Sequence, residues 1–305
     1  KAHAAAFALP TYQSAWLKTH YPAAFLAAVL THDPGMYPKR LIVDEARQMG
    51  ITIAPIDVNA SDAVYRVEDH GNAIRIALST VSGISEGEVK SIIAGRPYID
   101  LNDFVRRSGC STPVTESLIL TGGFDSLHAD VNRRDLLLHF SDLQKSPSAA
   151  VSGAQMNLGF EPPALISSGL PAMTASESVK YEIDRLGIDM SRHMIEFYGQ
   201  FLNAIGAVRS SDLLKQRSQS SVLVAGIKVA MQTPPVRSGK RVIFLTLDDG
   251  YGCSDSTFFT DVQSEYANVL YSTSLLLVRG VTRRTGARGI SIRATGAWDL
   301  RAAYE

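Results

Sequence analysis

The sequence predicts a multidomain α+β protein, with helices through most of its length and strands in its last third. Three observations favour this fold class. Apolar residues recur at helical spacing through much of residues 11–145, a segment rich in Ser, Ala, Gly and Pro follows at 146–174, and strand patterns begin at Ser220. The 305 residues suffice for two or three domains, and 45% apolar with 20% charged residues is ordinary for globular chains.

The first part of the chain is predicted to be mainly helical. Pro22 divides residues 11–32 into two helices, and residues 38–49 form a third helix that begins at a proline and ends at Gly50. The stretch ITIAPIDVN is predicted to be extended. YRVED and AIRIALS flank HGN and therefore indicate a hairpin.

Residues 81–127 contain two short helical pairs, each hinged on glycine, which is typical of a tandem helix-hairpin-helix unit. In the first turn, VSGISEGEV, backbone N–H groups at a helix N-terminus would favour a phosphate. A plain hairpin in a helical core is the alternative explanation. The second turn, Gly122–Gly123, has no Lys or Arg nearby in sequence and is interpreted as structural. The DNA contacts predicted at the first turn are Ser82, Gly83, Ile84, Ser85, Gly87 and Lys90.

The helical pattern continues beyond this unit. Asp100 is the expected N-cap of a helix over DLNDFVRRSG, and VNRRDLLLHFSDLQK is predicted to be an amphipathic helix. After the segment rich in small residues, residues 176–217 are predicted to be helical again.

From Ser220 onward, five strand candidates are separated by turn signals or short connections. QSEYA, between the third and fourth candidates, is compatible with a short helix. Five strands with that insertion fit an OB-fold barrel. The strand candidates are SVLVAGIKVAM, KRVIFLTLDD, DSTFFTDV, NVLYSTSLLLVRGVTRR and GISIRATGAW.

Cations and aromatic rings interleave near the first hairpin of the predicted barrel. Single-strand binders use rings to stack bases and cations to follow the backbone. Strand periodicity requires at least one of Phe244, Phe258 and Phe259 to be in the core. Five arginines within 279–293, with no acid, form a second patch, for which a solvated strand face is an equal alternative. The DNA contacts predicted on the barrel are Lys228, Arg237, Lys240, Arg241 and Phe244.

Composition and motifs exclude several classes of protein. The net charge of zero argues against a basic nucleic-acid binder over the whole chain, and no apolar window is long enough for a membrane span. Two distant cysteines indicate neither a disulfide framework nor a zinc site and favour a cytoplasmic location. Asp248 and Asp249 are interpreted as turn residues rather than as a metal-binding pair, because neighbours in a strand face opposite ways and cannot easily share one ion. No metal, no cofactor and no membrane partner is expected in this segment.

Gln155, Leu158 and Phe160 stand in the order Q-x-x-L-x-F within the segment that is rich in small residues. The apolar side chains of this segment could fold back onto a neighbouring domain. Alternatively, the segment is a peptide that docks into a groove on another protein.

Several stretches together resemble the bacterial family C DNA polymerases, the family of the DNA polymerase III alpha subunit. HAAAFALPTYQSAWLKTHYPAAFLAAVL resembles the end of their fingers region. IALSTVSGISEGEV and LILTGGFDSL stand where the family has a tandem helix-hairpin-helix, and VLVAGIKV and FLTLDD stand where it has an OB domain. LGIDMSRHMIEFY and QTPPVRSGKRVIFLTLDDGYG look more like the error-prone branch.

The resemblance implies the carboxy-terminal part of an error-prone DNA-directed DNA polymerase, a nucleotidyltransferase of DNA replication and translesion repair. The implied partners are double- and single-stranded DNA, a sliding clamp and other mutagenesis or replication proteins. The implied regions are the helical end of the fingers at 1–60, the tandem helix-hairpin-helix at 61–145, a linker with a clamp-binding peptide at 146–175, a helical connector at 176–219 and the OB domain at 220–305.

The family places its clamp-binding peptide where QMNLGF stands, which favours docking over folding back. Its catalytic carboxylates belong to the palm, so we expect this segment alone to lack polymerase activity, whereas the parent enzyme would use Mg²⁺. Ser85 departs from the family pattern, which commonly has a second glycine there. Two rivals remain: a non-catalytic DNA-repair or scaffold protein with the same modules, and an RNA-binding OB protein.

Replacing both Leu158 and Phe160 with Ala is expected to weaken clamp binding by at least about a hundredfold, because each buried anchor contributes roughly 1.5–3 kcal/mol. Calorimetry against the clamp measures this loss, and thermal melts of the same proteins check folding. A lower melting temperature with unchanged clamp affinity would show that the two side chains pack on a neighbouring domain instead.

Overall fold

The computed structural model describes residues 2–33, 35, 37–145, 164–234 and 241–305. It divides into a hairpin unit, Lys1–Pro34 with Met49–Ser191, and a barrel unit, Gly35–Gln48 with Arg192–Glu305. The predicted peptide residues Gln155, Leu158 and Phe160, and the predicted DNA contacts Arg237 and Lys240, lie outside the described residues.

The helices and strands are numbered along the whole chain. The helices are α1 (Ala2–His20), α2 (Pro22–His32), α3 (Lys39–Gln48), α4 (Glu86–Ala94), α5 (Leu101–Ser108), α6 (Thr112–Leu120), α7 (Arg133–Lys145), α8 (Ala175–Leu186), α9 (Gly199–Ala204), α10 (Ser210–Leu213), α11 (Thr260–Ser272) and α12 (Leu300–Tyr304). The strands are β1 (Thr52–Ala54), β2 (Arg66–Glu68), β3 (Ala73–Arg75), β4 (Ser221–Gln232), β5 (Ile243–Asp248), β6 (Cys253–Phe258), β7 (Leu275–Arg284) and β8 (Ile290–Asp299). No helix among the described residues is both long enough and apolar enough to cross a membrane.

The hairpin unit packs helices α4–α8 beside a small three-stranded sheet. β2 and β3 form the predicted antiparallel hairpin, and β1 adds to β3 in parallel. The helical core contains three aromatic rings in edge-to-face contact, with Phe104 4.9 Å from both Tyr98 and Phe124 between ring centroids. The predicted N-cap of α5 is confirmed, since the Asp103 amide donates to the Asp100 carboxylate at 2.7 Å.

One carboxylate connects the N-termini of two helices in this unit. Glu88 Oε2 accepts from the amide and hydroxyl of Ser85, the N-cap of α4, at 2.9 and 2.8 Å. Glu88 Oε1 accepts from the amide and hydroxyl of Ser111, the N-cap of α6, at 3.0 and 2.7 Å. These hydrogen bonds, those from Ser111 above all, lower the pKa of Glu88 to about 2. Glu88 therefore caps α4 and α6 with a single side chain.

The far end of the predicted linker is attached to the hairpin unit. The amide and hydroxyl of Ser168 donate to Asp135 at the start of α7, and Asn132 donates to the Leu170 carbonyl at 3.3 Å. Residues 164–174 are therefore held against α7 before α8 begins.

The barrel unit is a closed five-stranded barrel with strand order β4-β5-β6-β8-β7. β6 and β8 pair in parallel, and the other pairs are antiparallel. This order, with α11 between the third and fourth strands, is that of an OB fold and confirms the predicted fold class.

The predicted fourth strand begins too early. Asn268 to Ser272 belong to α11, because Val262, Tyr266 and Val269 recur at helical spacing and pack on the barrel core. The third strand is also shifted, since it ends at Phe258 rather than at the predicted Val262. The apolar residues at the end of α11 are followed almost at once by the apolar residues of β7. The change from helical to strand spacing is therefore hard to see in the sequence.

The connector between α8 and the barrel is broken rather than continuously helical. A 3₁₀ turn at Met194–Tyr198 and the short helices α9 and α10 cover one side of the barrel. α3 belongs to this unit too, since Arg40 donates to the Lys228 carbonyl and Gln48 to the Gly250 carbonyl, both at 3.3 Å.

Glu88→Gln is expected to destabilise the hairpin unit by about 1 kcal/mol, because an amide has one acceptor oxygen and so caps one helix instead of two. The folded pKa of Glu88 is depressed, so its contribution is present above the ordinary value of 4.5 and is lost as the pH falls toward 2. Denaturant unfolding at several pH values measures both effects.

The matched control is Glu86→Gln, which removes an exposed carboxylate from the same helical turn. Equal stability losses in the two variants, or an unchanged pH dependence in Glu88→Gln, would contradict the bridging role of Glu88.

Candidate nucleic-acid interface

The register of the barrel aligns four side chains across its outer face. Phe244 of β5 pairs with Thr257 of β6, Thr257 pairs with Arg293 of β8, and Arg293 pairs with Val281 of β7. These residues line a groove with a volume of about 790 Å³. The groove therefore crosses four strands of the barrel.

Exposed aromatic rings stand at two places in this groove. Phe244 is 45% exposed and Phe259 is 39% exposed, whereas Phe258 is completely buried in the barrel core. The expectation that at least one of the three rings belongs to the core is confirmed. The other two rings are partly exposed to solvent, which base stacking requires.

Two arginines of the predicted arginine patch reach the same groove. The Arg293 guanidinium lies 5.4 Å from the Phe259 ring centroid, and Arg283 lines the groove on β7. Asp261, at the start of α11, also lines it. A cation stacked on an exposed ring can contact a phosphate while the ring contacts a base.

The remaining members of the patch lie elsewhere. Arg279 stacks on Trp298 at 5.3 Å, and Arg284 donates to the Leu214 carbonyl at the end of α10. Arg288 is exposed in the turn between β7 and β8. The patch is thus divided between the groove and structural contacts.

Two predicted barrel contacts differ in their surroundings. The Lys228 amine donates to the Leu270 carbonyl at 2.8 Å near the end of α11, and desolvation by burial lowers its pKa. This lysine stabilises the helix end, and a phosphate contact would require its release. Arg241 is exposed at the entrance to β5, and its DNA contact stays a prediction.

Most backbone N–H groups of the first helix-hairpin turn already have hydrogen-bond acceptors within the chain. The Ser82 amide donates to the Arg185 carbonyl at 2.8 Å, the Ile84 amide to the Val81 carbonyl at 3.2 Å, and the Ser85 amide to Glu88. Lys90 pairs with Glu86 at 3.7 Å on an exposed face. The Glu88 carboxylate already lies at this helix N-terminus. The predicted phosphate site is therefore reduced mainly to the region of Gly83 and Gly87.

The second turn contradicts one expectation, since an arginine does lie beside it. Arg133 donates to the Leu120 carbonyl at 3.0 Å and pairs with Asp125 at 2.6 Å, and its guanidinium occupies the space where a Gly122 side chain would be. This arginine comes from the next helix, so proximity in sequence missed it. Because it is paired, the structural interpretation of the turn stands.

The adjacent carboxylates Asp248 and Asp249 are buried and engaged separately. Asp248 lies 3.4 Å from His193 Nε2. Burial alone would raise the pKa of Asp248. The hydrogen bonds from His193 and the Gly250 amide outweigh burial, so the pKa of Asp248 is lowered from its ordinary value. Asp249 accepts from the Ser210 amide and hydroxyl at 2.7 and 2.6 Å. The two carboxylates thus have different partners, Asp248 is the last residue of β5, and the contacts of both reach the connector.

Comparison with known proteins finds relatives over nearly the whole chain. A helix-hairpin-helix motif model matches residues 50–136. The error-prone DNA polymerase of Symbiobacterium thermophilum is 31% identical, over 96% of this chain and 31% of its own length. The DNA polymerase III subunit alpha of Escherichia coli K12 is also 31% identical, over 100% of this chain and 28% of its own length.

This chain is a homologue of the bacterial family C DNA polymerases. It spans about a third of the length of these relatives, and both branches match it at the same identity. A solved mitochondrial single-stranded DNA binding protein from S. cerevisiae aligns to 27% of this chain and 97% of its own, at 12% identity and a TM-score of 0.23, which is too low to carry an argument.

Phe259 was noticed in the sequence of this family C homologue but was not assigned as a contact, and three further groove residues were missed as site residues. Thr257, Arg283 and Arg293 follow the outward alternation of β6, β7 and β8, and the arginines were noticed only as a patch. The sequence did contain a signal for Thr257. Side chains alternate along a strand, so once Phe258 is known to be the buried last residue of β6, Thr257 and Phe259 on either side of it must face outward.

Gly122→Ala is expected to destabilise the hairpin unit more than Gly83→Ala, by about 1–2 kcal/mol. Both glycines have positive φ, +88° and +80°, but only at Gly122 must the added methyl displace Arg133. Chemical denaturation of the two variants measures the difference. Equal losses would mean that backbone strain alone determines both sites.

Proposed function

We propose that this chain is the DNA-holding and clamp-docking part of an error-prone family C polymerase that acts in replication and repair synthesis in the cytoplasm. In this proposal the barrel groove binds single-stranded template, the hairpin unit contacts duplex, and Gln155, Leu158 and Phe160 dock on a sliding clamp. The observation that carries it is the groove with Phe244, Phe259 and Arg293.

The groove suits a single strand better than a duplex. Rings such as Phe244 and Phe259 can stack only on bases whose faces are free, and a paired duplex presents only base edges and phosphates. Successive bases would stack on the two rings, while Arg283 and Arg293 contact the sugar-phosphate backbone. Arg241 would extend the positive edge of the groove.

The hairpin unit would contribute non-specific contacts to the duplex. Gly83 and Gly87 permit close approach of the backbone to a phosphate. The exposed pair between Lys90 and Glu86 is weak enough to be exchanged for one with a phosphate. Because Glu88 holds negative charge at this turn, we expect the groove to contribute more binding free energy than the hairpin.

The test is binding of oligothymidylate to Phe244→Ala and Phe259→Ala. Each variant is expected to lose about 1–3 kcal/mol, or roughly 5- to 150-fold in affinity, because one base loses its stacking partner. Tyr271→Ala is the matched control, since Tyr271 is exposed on α11 and does not line the groove.

A salt titration separates charge from stacking. Arg293→Gln is expected to reduce the salt slope by about 0.7, the value for one phosphate contact on a single strand. Arg301→Gln, an exposed cation on α12, is the control. In the oligothymidylate titrations, equal losses of affinity in Tyr271→Ala and Phe244→Ala would contradict the groove as the binding site.

The same titrations with oligouridylate and with duplex DNA test the rival functions. Tighter binding of RNA than of DNA through Phe244 and Phe259 would favour the RNA-binding alternative. Absence of any nucleic-acid binding would favour a scaffold protein.

A further inference from the structure

A second cavity, the connector pocket, opens where the connector residues 195–209 cross the barrel. It has a volume of about 230 Å³. Asp249, just after β5, lines this pocket, and Phe244, near the start of the same strand, lines the DNA groove. Asp249 is five residue steps beyond Phe244, so the two sites are about 17 Å apart along β5. The pocket is therefore separate from the proposed DNA site.

The floor of the connector pocket is aliphatic. Ile195 and Leu202 from the connector and Ala225 from β4 are buried there, and Ala207 and Val208 form one side. Such a floor gains free energy when an apolar group displaces water from it.

The rim of the connector pocket carries an exposed cation. The Arg209 guanidinium stacks on the Tyr251 ring, 4.4 Å from its centroid, and both residues are exposed to solvent. Within the part of the chain that the structure describes, no carboxylate forms an ion pair with Arg209. Glu196 also lines the pocket, but this carboxylate pairs with Arg192 at 3.6 Å. The positive charge of Arg209 is thus available to an acidic group beside the pocket.

A buried carboxylate fixes this rim in position. Asp249 is 7% exposed and accepts from the Ser210 amide and hydroxyl and, at 3.0 Å, from the Tyr251 amide. Ser210 directly follows Arg209, so one side chain holds the backbone on both sides of the rim. The pocket is therefore formed before any ligand arrives, which lowers the entropy cost of binding.

We infer that the connector pocket binds a peptide of a partner protein through one bulky apolar side chain, with an adjacent carboxylate paired to Arg209. A buried apolar anchor beside a charged contact is the usual composition of a binding hot spot. The partner is recognised by this pair of groups: an apolar residue next to an acidic residue or to a chain terminus.

The pocket chemistry favours a peptide over a nucleotide. A nucleobase would bury donors and acceptors on its edge, and each needs a partner. Asp249 is the buried polar side chain among those that line the pocket, and both of its oxygens already accept hydrogen bonds. An aliphatic side chain has no donors or acceptors and can be buried there without hydrogen-bond partners.

The test is an NMR titration of the 305-residue chain with N-acetyl-L-leucine, which carries an isobutyl group beside a carboxylate. Saturable shifts are expected at Val208, Ala225 and Tyr251. The acid is expected to bind about tenfold more tightly than N-acetyl-L-leucinamide, which lacks the charge, because a charge-assisted contact is lost.

Two variants make the test specific. Arg209→Gln is expected to abolish the preference for the acid while the amide binds as before, and melting curves check that this variant is folded. Arg217→Gln removes an equal charge from an exposed connector residue that does not line the pocket and is expected to keep the preference.

Three outcomes would overturn the inference. The first is the absence of saturable shifts at these residues in the wild-type chain. The second is an equal loss of acid preference in the Arg217 and Arg209 variants. The third is tighter binding of deoxyadenosine monophosphate than of N-acetyl-L-leucine at the same residues, which would assign the pocket to a nucleotide.

Discussion

Closure of the barrel is the constraint on which the candidate site depends. The parallel pairing of β6 with β8 brings Thr257 beside Arg293, and the antiparallel pairing of β5 with β6 brings Phe244 beside Thr257. The register shifts at Arg279/Gly280 of β7 and leaves Thr295 of β8 without a register partner, a bulge that lets β8 follow the curvature. A side chain at Gly280 would clash with the Arg293 carbonyl. Without this register the rings and guanidinium groups would not share one face.

In the hairpin unit, carboxylates of the chain itself bind the helix N-termini and arginines that could otherwise bind nucleic-acid phosphates. Glu88 caps two helices in the hairpin unit, and Asp103 pairs with Arg106 and Arg107 on α5. Such pairs stabilise the fold and leave fewer free donors for DNA. In physical terms, this is why the groove, with Arg283 and Arg293 beside exposed rings, is the stronger candidate for the main contact.

Features that depend on local periodicity could be predicted from the sequence. The strand count, the Asp100 cap and the burial of one phenylalanine follow from spacing and side-chain chemistry. The position of Arg133 beside Gly122 could not, because it depends on how α7 returns across the hairpin.

Long-range packing also explains the other omissions. α3 joins the barrel unit from more than 140 residues earlier in the chain, and Asp249 reaches back to Ser210 in the connector. Local patterns carry no information on such contacts. Lys228 was predicted as a DNA contact because it clusters with other cations and aromatic residues near the first barrel hairpin, whereas the fold places its amine against a carbonyl at the end of α11.

Photocrosslinking of a single strand that contains iododeoxyuridine, with the crosslinked residue identified by mass spectrometry, tests the central claim most directly, because this base crosslinks to an aromatic ring on which it stacks. The account predicts crosslinks at Phe244 and Phe259, suppressed by unlabelled oligothymidylate. Crosslinks confined to Tyr251, Trp298 or the hairpin unit, with none at Phe244 or Phe259, would contradict it.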